Sequence, residues 1–447
     1  MTETLSPADA VVFLIEHAKK NGADGAESRG VSSLSVSAGC RLGKTESLEQ
    51  SQTAAADLRV FVGHRQAVVA SSVLDTATLS DLAKHAVEMA KAVPEDPFCG
   101  LADPSEQARE FKDMDLCDPL DRTTDELLTV ALKAEDAALN VKGVTNSDGA
   151  EAAFERSFVT TASTTGFSRR FERSSCGFSV SVVAGTDEKE VDYDYSSAVY
   201  FSDLDTPENI GRNAANRAVR RLGAKKIESE TMDVVFEPRL SRGIVGALIS
   251  AINGAAVARG TSFLKDSLNT QIFPETLSVI ERPFVRRGPA SRSCDAEGIP
   301  ACERALVDNG VLTTWLLDLR SARQLGLKPT GHASRGLGGT PHPSPSNLFL
   351  EGGSVSPDEL IADIKRGLYV TNLFGQGVNL INGDYSRGAA GFLIENGKIT
   401  MPVSEVTVAG NLMEMFKNMQ AANDIDKRLH AVNAPTLRLK GMSVAGK

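Results

Sequence analysis

Histidine and glutamate are the residues that would identify a zinc peptidase site in this sequence. Such a site usually carries two histidines about one helical turn apart, with a glutamate beside the first as the base. Alanine, arginine or proline follows each of the six histidines, which are His17, His64, His85, His332, His342 and His430. We therefore predict no catalytic residue and no metal-binding residue in this chain. A metal site assembled from residues distant in sequence stays open.

Residues 38–45 resemble a phosphate-binding loop and provide one alternative function. They read AGCRLGKT and follow a predicted strand. In a phosphate loop of this kind, Lys44 would contact the phosphates of a nucleotide. A phosphate loop must continue into a helix whose first amides bind the anion. The residues after Thr45 have no apolar stripe, which favours a β-turn between two strands. A nucleotide-binding enzyme that uses the Lys44 loop remains the alternative.

Two carboxylates close together in sequence could perform acid-base chemistry. Asp295 and Glu297 lie between Cys294 and Cys302, and neighbouring carboxylates can exchange protons with a substrate. A polar loop between strands explains the same residues and is the favoured interpretation. No G-x-S-x-G nucleophile elbow occurs, whereas a catalytic triad assembled only in three dimensions stays open.

The glycine-rich residues 374–397 are the most informative stretch of the sequence. Their glycines permit a close approach of backbones, which suits an extended peptide laid along a strand edge. Asp384, Tyr385, Ser386 and Arg387 are the candidates for lining a substrate or partner surface. Asp384 and Arg387 could also pair with each other, and the residues alone favour that structural role.

The elements that must position these residues divide the chain near residue 228. Apolar spacing predicts helices at 7–20, 76–93, 124–139 and 206–222, separated by alternating strands. The same order of elements occurs twice, which suggests an internal duplication. A strand at 233–236, a helix at 240–252 and many short strands with long loops then follow. We predict an α+β fold, with an N-terminal helix-plus-strand-meander domain at 1–227 and a strand-rich, barrel-like domain at 228–447.

Composition narrows the classes of function. A formal net charge of -10 over 447 residues argues against a general nucleic-acid binder. Residues 243–258 are shorter than the roughly 20 apolar residues that a bilayer requires, and the N-terminus has no signal-peptide pattern. The six cysteines form no C-x-x-C pair. We expect a cytoplasmic protein that binds neither membrane nor nucleic acid.

Several segments together resemble one protein family. They are NLINGDYSRGAAGFLIENG at 379–397, MPVSEVTVAGNL at 401–412, GAAVARGTSFLKDSL at 254–268 and LLDLRSARQLGLKPTGH at 316–332. These segments resemble the TldD/PmbA family of metalloproteases, and specifically its PmbA (TldE) branch. With residues 61–66 and 94–98, the likeness extends over nearly the whole chain.

The resemblance implies a cytoplasmic protease of two related subunits that acts on unfolded or modified peptides. The TldD partner carries a His-Glu-x-x-x-His zinc motif and a cysteine ligand nearer its C-terminus. This chain has ALISAI at 247–252 in the corresponding helix and no cysteine after Cys302. The resemblance thus implies that zinc lies in the partner and that this subunit shapes the substrate channel. A homodimeric peptide-binding protein without cleavage activity is the other alternative.

Overall fold

The computed structural model describes residues 3–375, 377–426 and 428–446. Its N-terminal half contains two successive groups of helix, three strands and helix. The first group is α1 (Pro7–Lys20), β1 (Gly25–Arg41), β2 (Lys44–Val62), β3 (Arg65–Ser71) and α2 (Thr76–Ala92). The second is α3 (Thr124–Leu139), β4 (Val144–Ser163), β5 (Ser168–Ala184), β6 (Glu190–Ala198) and α4 (Pro207–Arg220), with a short 3-10 helix at Phe201–Asp203. The repeated order predicted from the sequence is therefore present.

Local sequence signals explain where these helices begin. The side chain of Ser6 accepts a hydrogen bond from the backbone of Asp9 at the start of α1, and Pro7 occupies the first helical turn. Thr123 and Glu126 form a reciprocal capping box at the start of α3. The predicted bounds of both helices, 7–20 and 124–139, are confirmed.

The six strands of this half form one antiparallel sheet with the order β3-β2-β1-β4-β5-β6. Its two faces follow from the alternation of residues along each strand. In β1, β2, β4 and β5, even-numbered residues such as Leu58 and Phe154 are buried beneath the helices. Odd-numbered residues, among them Arg59 and Arg169, lie on the opposite face, towards the C-terminal domain. The register of each strand thus decides which polar side chains meet that domain.

The C-terminal half contains short elements joined by long loops. Its strands are β7 (Glu230–Phe236), β8 (Ser278–Arg282), β9 (Arg304–Asp308), β10 (Val311–Leu312), β11 (Ala333–Ser334), β12 (His342–Pro343), β13 (Asn347–Glu351), β14 (Arg366–Phe374), β15 (Asp384–Glu395), β16 (Lys398–Asn411), β17 (Met419–Ala421), β18 (Val432–Asn433) and β19 (Leu437–Ala445). Its helices are α5 (Pro238–Ala251), α6 (Gly254–Ala258), α7 (Leu319–Leu325), α8 (Pro357–Ile361) and α9 (Leu412–Lys417).

A closed barrel of five strands organises this half. The sheet order β16-β15-β14-β7-β19 is closed by an additional pairing of β16 with β19, and closure removes the exposed strand edges. A second sheet, with the order β10-β9-β8-β13-β18, shares its core with the barrel. The predicted α+β class with a barrel-like C-terminal domain is confirmed. The division at residues 227 and 228 stays a prediction, and it falls between β6 and β7.

The apolar helix predicted at 240–252 corresponds to α5. Its residues Leu248 and Ala251 are fully buried in the C-terminal core. None of the helices in the described part of the chain has the length and apolarity needed to cross a bilayer.

Candidate functional site

The structure distributes the four predicted surface residues between the two faces of strand β15. Tyr385 is only 3% exposed and packs in the C-terminal core, whereas Asp384 and Ser386 are exposed. Arg387 lies two positions after Tyr385 and therefore on the same face of the strand. Burial raises the pKa of Tyr385 to about 12, against the opposing charge of Arg387. A role for all four residues in lining one surface stays a prediction.

The side-chain amides of two asparagines, and not an arginine, contact the Asp384 carboxylate. Its carboxylate accepts hydrogen bonds from Asn382 Nδ2 at 2.7 Å and Asn411 Nδ2 at 3.2 Å. Asp384 and Arg387 form no ion pair among the described residues. The pairing of these two residues that the sequence favoured is therefore wrong, because residues three apart on a strand point to opposite faces.

The Lys44 segment forms a hairpin turn, as its favoured interpretation predicted. Leu42 and Gly43 have positive φ values of 52° and 72°, the conformation of a tight two-residue turn between β1 and β2. Strand β2 begins at Lys44, so the helix that a phosphate loop requires is not formed here. The amides of Leu42 and Gly43 donate to the Glu135 carboxylate, each at 2.8 Å. The phosphate-loop interpretation of residues 38–45 is therefore wrong.

The residues of helix α5 do not fit a zinc ion. Ala247 and Leu248 are buried in the core, and the Ser250 hydroxyl donates to the Gly246 carbonyl oxygen at 3.0 Å. Among residues 3–375, 377–426 and 428–446, no group of three or more His, Cys, Asp or Glu side chains is arranged to hold a metal ion. The buried His332 binds the Glu281 carboxylate instead, at 2.8 Å.

A cavity of about 480 Å³ lies between the odd-numbered face of the N-terminal sheet and the C-terminal domain. Strands β1, β2, β4 and β5 form one wall, and the segments at 291–297 and 333–337 form the other. The lining includes exposed side chains such as Glu155 and Leu337, so the cavity opens to solvent. This volume lies in the range typical of ligand pockets, which makes the cavity the candidate functional site.

Buried ion pairs join the two walls at one end of the cavity. Arg335 binds Asp57 at 2.7 Å and Glu27 at 3.2 Å. Arg59 binds the same Glu27 carboxylate at 3.0 Å. All four residues are less than 10% exposed. Because buried charges are tolerated only when they are paired, these contacts fix the C-terminal loop against the sheet.

Asp295 and Glu297, the two carboxylates noted in the sequence, also line this cavity. Asp295 accepts hydrogen bonds from the backbone of Glu297, Ile299 and Ala333, while Glu297 accepts one from Leu319 N at 2.8 Å. Burial raises the pKa of both carboxyl groups, and the charge of Asp295 raises that of Glu297 further. Their backbone contacts agree with the favoured loop interpretation, although both side chains also face the cavity.

Sequence reasoning missed the arginines that line the cavity. They are Arg29, Arg59, Arg169, Arg173, Arg292 and Arg335. The available signal was a pair of charged residues at alternate positions of a strand, as in Glu27 and Arg29 of β1, Asp57 and Arg59 of β2, and Arg169 and Arg173 of β5. That pattern indicates a sheet face covered by a polar partner surface rather than by helices.

Comparison with known proteins identifies the family. Three family models match, described as PmbA/TldA metallopeptidase domain 1 at residues 26–90, central domain at 117–222 and C-terminal domain at 229–446. The metalloprotease PmbA of Escherichia coli O157:H7 is 35% identical over 427 residues, which cover 95% of this chain and 93% of that protein. The chain belongs to the PmbA/TldD family.

The fold of this PmbA/TldD family member is also similar to that of solved structures. A structure from Bacteroides thetaiotaomicron, described as a candidate modulator of DNA gyrase, superimposes with a TM-score of 0.89 at 28% identity. It covers 98% of both chains. TldE from Thermococcus kodakarensis has a TM-score of 0.85 at 20% identity, covering 98% of this chain and 100% of that one. At that identity the likeness concerns the fold.

Proposed function

We propose that this chain is the subunit without zinc of a two-subunit metalloprotease of the PmbA/TldD family. The observation that carries the proposal is the contrast between the metallopeptidase family and the residues of α5. That helix presents Ala247, Leu248 and Ser250, which supply no strong zinc ligand, and the described residues contain no metal-binding cluster elsewhere. Zinc would then be held by a TldD-type partner, which would also supply the catalytic residues.

In this proposal the chain shapes the channel through which unfolded or modified peptides reach the metal. The open cavity between the sheet and the C-terminal domain supports such a role because it exposes both polar and apolar side chains. The six-stranded sheet also ends in two edge strands, β3 and β6, and an extended peptide can add to a strand edge. The complex would act in the cytoplasm.

Zinc content and peptide cleavage test the proposal directly. The chain is purified alone, a TldD-type partner is purified alone, and the two are mixed. Cleavage of an unstructured peptide and bound zinc are measured for each sample. We expect zinc in the partner and the mixture, cleavage mainly in the mixture, and neither in this chain alone.

Other outcomes separate the alternatives. Stoichiometric zinc and cleavage by this chain alone would refute the proposal and indicate a metal site built from dispersed residues. Peptide binding by a homodimer that neither associates with the partner nor changes its activity would instead support the peptide-binding protein. Light scattering of the chain, with and without the partner, distinguishes these assemblies.

A further inference from the structure

Two arginines on strand β5 point into the cavity from the same face of the sheet. Arg169 and Arg173 occupy alternate positions with Phe171 between them, and all three line the cavity. The Arg169 guanidinium packs on the Phe171 ring, 4.6 Å from its centroid. Both arginines are half-buried, so their positive charges are held partly away from water.

A third arginine reaches this region from the opposite wall. Arg292 lies in the loop between β8 and β9, and its Nη2 donates to the Ser344 carbonyl oxygen at 2.5 Å. Its Nε is buried without a hydrogen-bond partner among the described residues. Arg292 also lines the cavity, so its guanidinium lies beside open space in which an acceptor could bind.

The acceptors that these three arginines do have are neutral. Arg173 Nη2 donates to the carbonyl oxygens of Pro289 at 2.6 Å and Ser291 at 3.3 Å. Arg169 Nη1 contacts Cys294 Sγ at 3.3 Å. In the described part of the chain, none of Arg169, Arg173 and Arg292 has a carboxylate within ion-pair distance, unlike the nearby Arg59 and Arg335.

This arrangement brings together three guanidinium groups that have no direct ion pair among the described residues. Burial lowers the pKa of Arg173, and the positive charges of Arg292 and Arg169 lower it further. Burial also lowers the pKa of Arg292, against the opposing charges of Glu281 and Asp295. An anion placed among the three guanidinium groups would relieve both effects.

The carboxylates of the cavity are engaged elsewhere or exposed. Glu27 is shared by Arg59 and Arg335, and the two oxygens of Asp295 accept three backbone N–H groups. Glu155 and Glu172 are exposed. Glu297 also lines the cavity, accepts the Leu319 N–H and has a pKa raised by burial. None of these carboxylates forms an ion pair with the three arginines in the described part of the chain, which leaves their N–H donors available to a ligand.

Apolar side chains lie beside the arginines. Phe167, Phe171, Leu101 and Leu116 line the same cavity. A ligand with an anionic group next to an apolar one would contact both kinds of surface. Arginine suits a carboxylate in particular, because its planar fork can donate two parallel hydrogen bonds to the two oxygens.

We propose that Arg169, Arg173 and Arg292 bind a carboxylate of a short peptide inside this cavity. The choice of a peptide as the carrier rests on the proposed function. The carboxylate could be the C-terminal group of the peptide or an aspartate or glutamate side chain. The site gives this subunit its own contact with acidic peptides, separate from the metal held by a partner.

Direct binding to the purified chain alone tests the proposal. Calorimetry is performed with acetyl-Ala-Ala-Leu carrying a free C-terminus, with its C-terminal amide, and with acetyl-Ala-Glu-Leu amide. We expect at least one carboxylate-bearing peptide to bind at least about tenfold more tightly than the neutral amide, since hydrogen bonds to charged groups are the stronger ones. The two carboxylate peptides distinguish the C-terminal source from the side-chain source.

Matched variants locate the site. Arg173→Met should weaken binding of the carboxylate peptide by about tenfold or more, and Arg173→Lys should have an intermediate effect because it keeps the charge without the fork. Arg170→Met is the control, since Arg170 is exposed on the other face of the same strand. Circular dichroism and urea unfolding verify that each variant is folded, and Arg169→Met replaces Arg173→Met if the latter is not.

Several results would overturn the assignment. These are an absence of peptide binding, equal binding of the neutral amide, or an equal loss in Arg170→Met. Stronger competition by inorganic phosphate than by acetate would assign the arginines to a phosphate group instead. The assay needs neither zinc nor cleavage, so a failure of the two-subunit proposal and a failure of the carboxylate site are observed separately.

Discussion

Arg335 of the C-terminal domain lies 2.7 Å from a carboxylate oxygen of Asp57 in the N-terminal sheet. Asp57 is fully buried and Arg335 is 6% exposed. The Asp57 carboxylate also accepts the backbone N–H groups of Arg29 at 3.0 Å and Gly338 at 2.8 Å. One carboxylate therefore binds both the sheet and the loop at one end of the cavity.

Replacing Arg335 with methionine should destabilise the protein strongly. Arg335→Met removes a positive charge that pairs with the buried carboxylates of Asp57 and Glu27. Removing one partner of a buried ion pair costs about 3–5 kcal/mol, because the other charge stays buried without a partner. The free energy of unfolding in urea measures the effect. Adding Asp57→Asn to the variant should recover part of the lost free energy of unfolding, because it removes the unpaired negative charge of Asp57.

The surface pair of Arg366 and Glu230 provides the control for this prediction. Both side chains are substantially exposed, at 42% and 36%. Arg366→Met should change the free energy of unfolding by less than about 1 kcal/mol. An equal loss in Arg335→Met and Arg366→Met would show that the buried cluster does not hold the two domains together.

Glu297→Gln should make the protein more stable at high pH. The raised pKa of Glu297 means that the folded state holds its proton to a higher pH than the unfolded state does. The wild-type chain therefore loses stability as the pH rises from the unfolded value through the folded one. Glutamine keeps an acceptor for Leu319 N and has no proton to lose.

Urea unfolding between pH 5 and 9 measures this difference. The stability advantage of Glu297→Gln should increase with pH and should be smallest at the acidic end. Glu275→Gln, at an exposed glutamate, is the control and should leave the pH profile unchanged. A constant difference between Glu297→Gln and the wild type would contradict a raised pKa.

Two glycine substitutions should change stability in opposite directions. A Cβ at Gly391 in the barrel strand β15 would lie 1.9 Å from the Tyr369 carbonyl oxygen, so Gly391→Ala should destabilise by about 1–3 kcal/mol or more. A Cβ at Gly246 in α5 meets no atom within 4 Å, so Gly246→Ala should stabilise by about 0.5–1 kcal/mol. Urea midpoints compare the two variants, and a gain in both would contradict the tight barrel packing.

The Lys44 hairpin should depend on Glu135 and not on Lys44. Glu135→Ala removes the acceptor for the Leu42 and Gly43 amides and should cost about 2 kcal/mol, as expected for hydrogen bonds to a charged group. Lys44→Ala, at an exposed side chain, should stay within about 0.5 kcal/mol of the wild type. Equilibrium dialysis should detect no ATP-analogue binding by the wild type, whereas binding that Lys44→Ala abolishes would restore the nucleotide alternative.

Much of the fold was predictable because its signals are local. Apolar spacing predicted the bounds of α1 and α3, which the structure confirms, and alternation indicated the strands of the meander. The segment at residues 38–45 shows the limit of such signals, since the absence of an apolar stripe after Thr45 was needed to favour a hairpin over a phosphate loop. The predicted surface at residues 384–387 ignored alternation, which places Tyr385 in the core.

The sequence by itself determined the family, the α+β class, the repeated N-terminal order and the lack of a zinc-binding pair on α5. These properties depend on residue type, period and short motifs, all of which are read along the chain. Only the tertiary structure decided which polar side chains meet. Arg335 and Asp57 are 278 positions apart, and Arg173 meets a loop 116 positions away. Such contacts depend on how a sheet face packs against distant loops, and residue order alone does not specify that packing.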